Sequence, residues 1–151
     1  MYQRILLAVD GSHSSDLALS QAIAIAAATG AEVKALFVVD DSDVYFEAGY
    51  FDPREVANQQ ISYGGKALDA ATARLSQAGI RCHAQLDEKP VAPGRISTTI
   101  AVEADKWNAD MIVMGTHGRR GVRRLLMGSV AEGVLSQTSK PLLLVRSEIE
   151  G

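Results

Sequence analysis

The residues best placed to do chemistry lie late in the chain, in Gly115-Thr116-His117-Gly118-Arg119-Arg120-Gly121-Val122-Arg123-Arg124-Leu125-Leu126-Met127-Gly128-Ser129. Five of the 13 glycines fall between Gly115 and Gly133, and no acidic residue occurs between Asp110 and Glu132. Four arginines (Arg119, Arg120, Arg123 and Arg124) sit within six positions. Residues without a Cβ let backbone N–H groups converge on an anion and allow it to come close. Gly128-Ser129 opens a helical stretch whose free N–H groups and dipole also favour negative charge. Phosphate is the natural ligand for such a stretch. An Arg119 guanidinium reaching it would contribute about 1.5–3 kcal/mol per charge-assisted bond. Arg123 and Arg124 point to an exterior role instead. The stretch is neither a Gly-x-x-x-x-Gly-Lys-[Ser/Thr] loop nor a Gly-x-Gly-x-x-Gly fingerprint. Its glycines also admit a plain structural reading, with Gly115 and Gly118 as turn formers and Gly128 as a helix start.

Other reactive side chains are scattered. Asp10 closes an apolar run and either caps the turn at Gly11-Ser12 or meets sugar hydroxyls at a strand end. His117 is the best-placed general base, but no nucleophile or orienting carboxylate accompanies it, so it reads as a loop residue. Ser129 could be no more than a helix cap. His13 and His83 lack metal-ligand spacing, and Cys82 on an apolar run suits packing. The acidic, aromatic segment Asp40–Asp52 fits a calcium loop poorly. From Asp41 it offers Tyr45 at position five, Phe46 at six and Asp52 at twelve. It reads as a solvated lid or a partner-contacting loop.

The elements that must position these residues follow from the apolar pattern. Short runs at Ile5–Val9, Val33–Val39, Arg81–Leu86, Met111–Met114 and Leu142–Val145 have the length and composition of buried strands. Between them, Ser14–Thr29, Glu55–Gln77, Arg95–Asn108 and Ser129–Thr138 have helical composition. Ile96, Ile100, Ala104 and Trp107 make one apolar stripe on the third of these. Near-continuous apolar strands alternating with amphipathic helices imply an α/β fold, a parallel sheet covered on both faces. In such a sheet ligands bind beyond the carboxyl ends of the strands. Asp10, Asp40 and Gly115 should therefore face one crevice.

Composition limits the function classes. The 151 residues make one domain, 1–151, with no room for a second full core. Hydrophobic residues at 47% and charged residues at 22% are globular values. One cysteine excludes an internal disulfide framework. A net charge of -3 and 5% aromatics argue against binding nucleic acid or an anionic membrane in bulk. Ile5–Val9 is too short for a signal core or a membrane span. The expectation is a soluble, cytoplasmic protein with no membrane insertion.

Gly115-x-x-Gly118, nine residues, then Gly128-Ser129 matches the G-x2-G-x9-G-[S/T] pattern of the nucleotide-binding branch of the universal stress protein family. Ile5–Ser12 resembles that family's first strand and turn, Asp110–Arg119 its fourth strand and loop, and Gly128–Ala131 its last helix start. Pro141–Val145 resembles the closing strand. The likeness runs nearly end to end and is weakest at 40–60. It implies a doubly wound, five-stranded parallel sheet in order 3-2-1-4-5 and a site for ATP, with or without magnesium. Carried over, Ala8 and Val9 would line the adenine pocket, Asp10 would meet the ribose side and the backbone at Val38 would read the adenine edge. Met114 and Gly115 would flank the nucleoside, while Gly118, Arg119, Gly128, Ser129 and Val130 would hold the phosphates. His117 falls inside the same loop and is counted with this set, although neither it nor Arg120 has a settled role. Ala8 departs from the pattern, since some ATP-binding members carry proline there.

The leading expectation is an ATP-binding regulatory protein acting through dimer or partner state, with hydrolysis slow at most. Asp10 is the one carboxylate at the site, whereas phosphoryl transfer ordinarily needs a magnesium-holding pair and a positioned nucleophile. An enzyme related to the ATP pyrophosphatases is the alternative, but Asp10–Asp16 lacks their paired glycines. A third reading is an ATP-independent interaction module. Leu142–Val145 carries no charge and, at a sheet edge, would pair with a second copy to form a homodimer. The family commonly pairs this strand across a two-fold axis.

Overall fold

The computed structural model describes residues 2–40, 53–91, 93–117 and 127–146. Strands β1 (Arg4–Ala8), β2 (Glu32–Asp40), β3 (Cys82–Val91), β4 (Met111–Gly115) and β5 (Leu142–Val145) alternate with four helices. These are α1 (His13–Thr29), α2 (Pro53–Gln77), α3 (Pro93–Lys106) and α4 (Ser129–Gln137). Every strand pairing is parallel, and the order across the sheet is β3-β2-β1-β4-β5. The order reverses between β1 and β4, so the ends of these two strands flank the switch point. The doubly wound sheet expected from the sequence is the one observed.

Side chains alternate across each strand and divide the core in two. Ile5, Leu7, Val33, Phe37 and Val113 pack under α1 and α2 with Leu19, Leu68 and Leu75. Leu6, Leu36, Ile112 and Met114 pack under α3 and α4 with Ile100, Ala104 and Val134. Helix α1 starts two residues after Gly11 because the Ser12 hydroxyl accepts the Ser15 N–H at 3.1 Å, and it stops at Gly30.

The largest departure from the sequence reading is β3, which runs on past Leu86 through Asp87-Glu88-Lys89-Pro90. It is an edge strand with one neighbour, so charged residues and a proline without an N–H can be accommodated there. The pairing with β2 shifts register between Val38 and Asp40. The segment 41–52, read from sequence as a lid or contact loop, lies outside the described residues.

Polar contacts tie the strands together at the amino end of the sheet. Asp110 Oδ2 accepts the N–H groups of Gln3 and Arg4 at 2.8 and 2.9 Å. These two bonds hold the Asp110 carboxyl below its ordinary value, against a small opposing cost of burial. Glu32 joins three strands, meeting Arg4 Nε at 3.2 Å and His83 Nε2 at 3.1 Å. Its carboxyl is lowered first by the His83 hydrogen bond and further by the charges of His83, Arg81 and Arg4, while burial opposes the shift. All of this lies at the opposite end from the switch point.

Candidate functional site

At the carboxyl end of β1 the chain turns sharply into α1. Gly11 takes φ +80, in the left-handed region, and the Tyr63 ring from α2 fills the space where a Cβ would stand. Asp10 Oδ1 accepts the Ser12 N–H at 2.8 Å, closing an Asx turn, and the Asp10 N–H donates to Ser15 Oγ at 3.2 Å. The carboxylate therefore does cap the turn, as one sequence reading had it. Its second oxygen keeps capacity for a ligand donor.

The carboxyl end of β4 lies against the start of α1. A Cβ on Gly115 would collide with the Ser14 hydroxyl, Cβ and carbonyl carbon, so glycine is what permits this approach. Two residues on, the His117 carbonyl accepts the Ser14 hydroxyl at 2.5 Å and the Ser12 hydroxyl at 3.3 Å. Thr116, 4% exposed, donates its N–H to the Val145 carbonyl at 3.0 Å and accepts the Gly128 N–H at 2.6 Å. Its hydroxyl lies 3.0 Å from His117 Nδ1. The segment leaving β4 and the residue opening α4 are thus joined directly. Gly128, not Ser129, is the N-cap of α4, and no side chain caps that end. Ser129 is the first helical residue and is exposed.

The predicted site residues fall into groups. Ala8, Val38, Met114 and Val130 share one apolar cluster on the α3–α4 face, at or near the carboxyl ends of β1, β2 and β4 and the start of α4. Met127 packs there too. Val9 is different. Its N–H continues the ladder to the Leu36 carbonyl at 2.8 Å, but its side chain packs in the core on the α1–α2 face. There it lines a cavity of about 340 Å³ between α1 and α2, with Leu19, Tyr63, Lys66 and Arg74. Adjacent residues of a strand point to opposite faces, so the side chains of Ala8 and Val9 do not line one pocket. Asp10, Gly115 and His117 are joined through Ser12 and Ser14. Gly118, Arg119 and Arg120 lie outside the described residues.

Sequence reasoning missed Ser12, Ser14, Ser15 and Thr116, which build the polar framework of this end. Their only signal was a cluster of small hydroxyl residues directly after a strand end, which reads as nothing more than a helix start. Among the described residues, no three of His, Cys, Asp and Glu gather in a way that could hold a metal ion. Nor is any helix there long and apolar enough to cross a membrane. Chemically, this end offers partly exposed apolar side chains at Ala8, Val38 and Val130, one carboxylate on a rigid turn, and a helix start with N–H groups that no side chain caps.

A sequence model of the universal stress protein family matches residues 1–146. The chain belongs to that family. Universal stress protein MJ0531 of Methanocaldococcus jannaschii is 34% identical over 146 residues, covering 97% of this chain and 83% of its own length. A universal stress protein family structure from Burkholderia pseudomallei is 27% identical, with a TM-score of 0.74 and 97% of each chain covered. The universal stress protein of Archaeoglobus fulgidus, solved in complex with dAMP, is 23% identical with a TM-score of 0.68. It covers 95% of this chain and 98% of its own, and at that identity the likeness is one of fold.

Proposed function

We propose that this universal stress protein binds an adenine nucleotide, ATP in particular, and acts as a regulatory protein rather than an efficient enzyme. The observation that carries the reading is the meeting of two features at the switch point. Ala8, Val38 and Val130 lie partly exposed over Met114 in one apolar cluster, and beside them the start of α4 is without a side-chain cap. A purine stacks on the first, and phosphate oxygens accept from the second. The dAMP complex of the Archaeoglobus fulgidus protein is a case of an adenine nucleotide held by this fold. In the proposed arrangement Asp10 accepts ribose hydroxyls, Met114 and Gly115 flank the nucleoside, and Gly118, Arg119, Gly128 and Ser129 take the phosphates. Ala8 and Val38 contribute side-chain surface and, at Val38, backbone, while Val9 contributes backbone alone. His117 serves through its carbonyl, which the two serines hold. Magnesium accompanying the nucleotide would neutralise phosphate charge, and Asp10, the one acidic residue of the set, is the side chain that would face it.

Slow turnover follows from the same inventory. Asp10 already accepts the Ser12 N–H, and no second carboxylate belongs to the proposed set to hold magnesium or to orient His117 as a base for an attacking water. The protein works as a single domain in the cytoplasm, as a homodimer through Leu142–Val145, with nucleotide occupancy as the state that a partner reads.

Thermal melting with and without nucleotide tests this. ATP at about a thousand times its dissociation constant stabilises the fold by about 4 kcal/mol, which raises Tm by about 10 °C in a chain of this size. GTP gives less, and Gly118→Ala or Gly128→Ala reduces the ATP shift. The absence of any nucleotide-dependent shift overturns the reading. Pyrophosphate release on incubation with ATP would favour the enzyme instead.

A further inference from the structure

Asp10 on one side of the switch point and the start of α4 on the other can grip one ligand only if their separation is fixed. The sheet alone does not fix it, because each lies beyond the last residue of its strand. A chain of hydrogen bonds supplies the missing link. Asp10 is bound to Ser12 through its carboxylate, and Ser12 donates its hydroxyl to the His117 carbonyl. Ser14 donates to the same carbonyl at 2.5 Å, and Thr116, next in the chain, holds the Gly128 N–H. Ser14 is 3% exposed, and its bond is the shorter of the two that converge on His117. The other hydroxyls of this turn carry a further or a different task. Ser12 accepts the Ser15 N–H as the helix cap, and Ser15 accepts the Asp10 N–H. The approach of Ser14 also depends on Gly115, where the three atoms nearest to an added Cβ all belong to Ser14.

We infer that Ser14 is a positioning residue of the site. By anchoring the His117 carbonyl to the first turn of α1 it sets the distance between the Asp10 carboxylate and the amino end of α4. This rests on the proposed nucleotide site and adds a prediction that site alone does not make. Ligands that span both sides need Ser14, and ligands that touch only the nucleoside side do not. Ser14 itself touches no ligand.

The test compares dissociation constants for ATP and for adenosine by calorimetry in the wild type, Ser14→Ala and Ser97→Ala. Ser97 is a buried serine between α3 and α4 that accepts from Gln137, away from the site, and its variant controls for general loss of stability. Ser14→Ala weakens ATP by about tenfold, the worth of one good hydrogen bond, and leaves adenosine within about twofold. Ser97→Ala leaves the ratio of the two constants unchanged. Ser12→Ala removes the longer bond to the same carbonyl and moves the ratio in the same direction by less, and it decides the matter if Ser14→Ala fails to fold. A wild type that binds neither ligand overturns the nucleotide site itself. A wild type that binds both, with an unchanged ratio in the Ser14 and Ser12 variants, overturns the positioning role alone.

Discussion

At the scale of single residues, the carboxyl end of the sheet depends on small side chains allowing close approach and on hydroxyls using it. Gly115 is the clearest case. It ends β4, and a side chain there would strike Ser14. Gly115→Ala should cost about 1–3 kcal/mol, the usual penalty for overpacking a tight contact, read as a lower midpoint in urea with an unchanged slope. A stability equal to wild type would show that α1 can move away freely, and that the contact with Ser14 is not a constraint. The residues that build this end were only partly legible. Asp10, Gly115 and Gly128 stood out because strand ends and glycines carry positional meaning. Ser14 did not, because a hydroxyl bonding a carbonyl more than 100 positions away leaves no periodic trace, and Thr116 did not, because its links to Val145 and Gly128 are made by the backbone, which the residue type does not announce. The same limit explains Val9. The family resemblance implied a shared pocket with Ala8, and the structure puts the two side chains on opposite faces.

At the scale of elements, the two ends of the sheet do different work. The switch-point end holds the proposed ligand, while the amino end joins strands through Asp110 and Glu32. Asp110 accepts two N–H groups from the residues leading into β1 and at its start, linking the entries of β1 and β4. Its folded-state pKa is lowered, so its contribution is fully present above the unfolded-state value near 3.8 and is lost as pH falls through the folded value. Asp110→Ala should therefore cost on the order of 1 kcal/mol at pH 7, discounted for the exposure of these bonds, and the gap from wild type should narrow as pH is lowered from 7 through the folded-state value. Denaturant midpoints across that range check it, and a gap that persists at low pH would assign the loss to packing instead. The order of strands and helices was legible because apolar runs and helix stops are local features. The five residues that extend β3, Asp87 to Val91, were not. A run of Asp87-Glu88-Lys89-Pro90 reads as a loop, and it is strand because an edge position leaves half the backbone and much of the side-chain surface in water.

At the scale of the whole molecule, the two edges of the sheet are unlike. One edge is β3, ten residues long and guarded by charges and a proline. The other is β5, four leucine and valine residues with no charge among them. The carbonyls of Pro141 and Val145 point inward, to Ile112 and Thr116 of the β4 segment. By the two-residue alternation of a strand, the N–H and C=O groups of Leu142 and Leu144 point outward, away from the sheet. Two copies related by a two-fold axis can set these groups against each other in an antiparallel pair, making about four hydrogen bonds and covering the side-chain surface that β5 leaves half-exposed. Such pairing would also bear on the site, because Val145 accepts the Thr116 N–H and Thr116 holds Gly128, the N-cap of α4. Light scattering at micromolar concentration should give a mass near twice 16.1 kDa. Leu144→Pro removes an outward N–H while leaving the bonds to β4 in place, so it should give the single-chain mass with the parallel sheet intact by circular dichroism. A wild type that runs as a single chain rules out the pairing. A dimer unaffected by Leu144→Pro would place the interface elsewhere on the molecule and break the proposed line from β5 through Thr116 to α4.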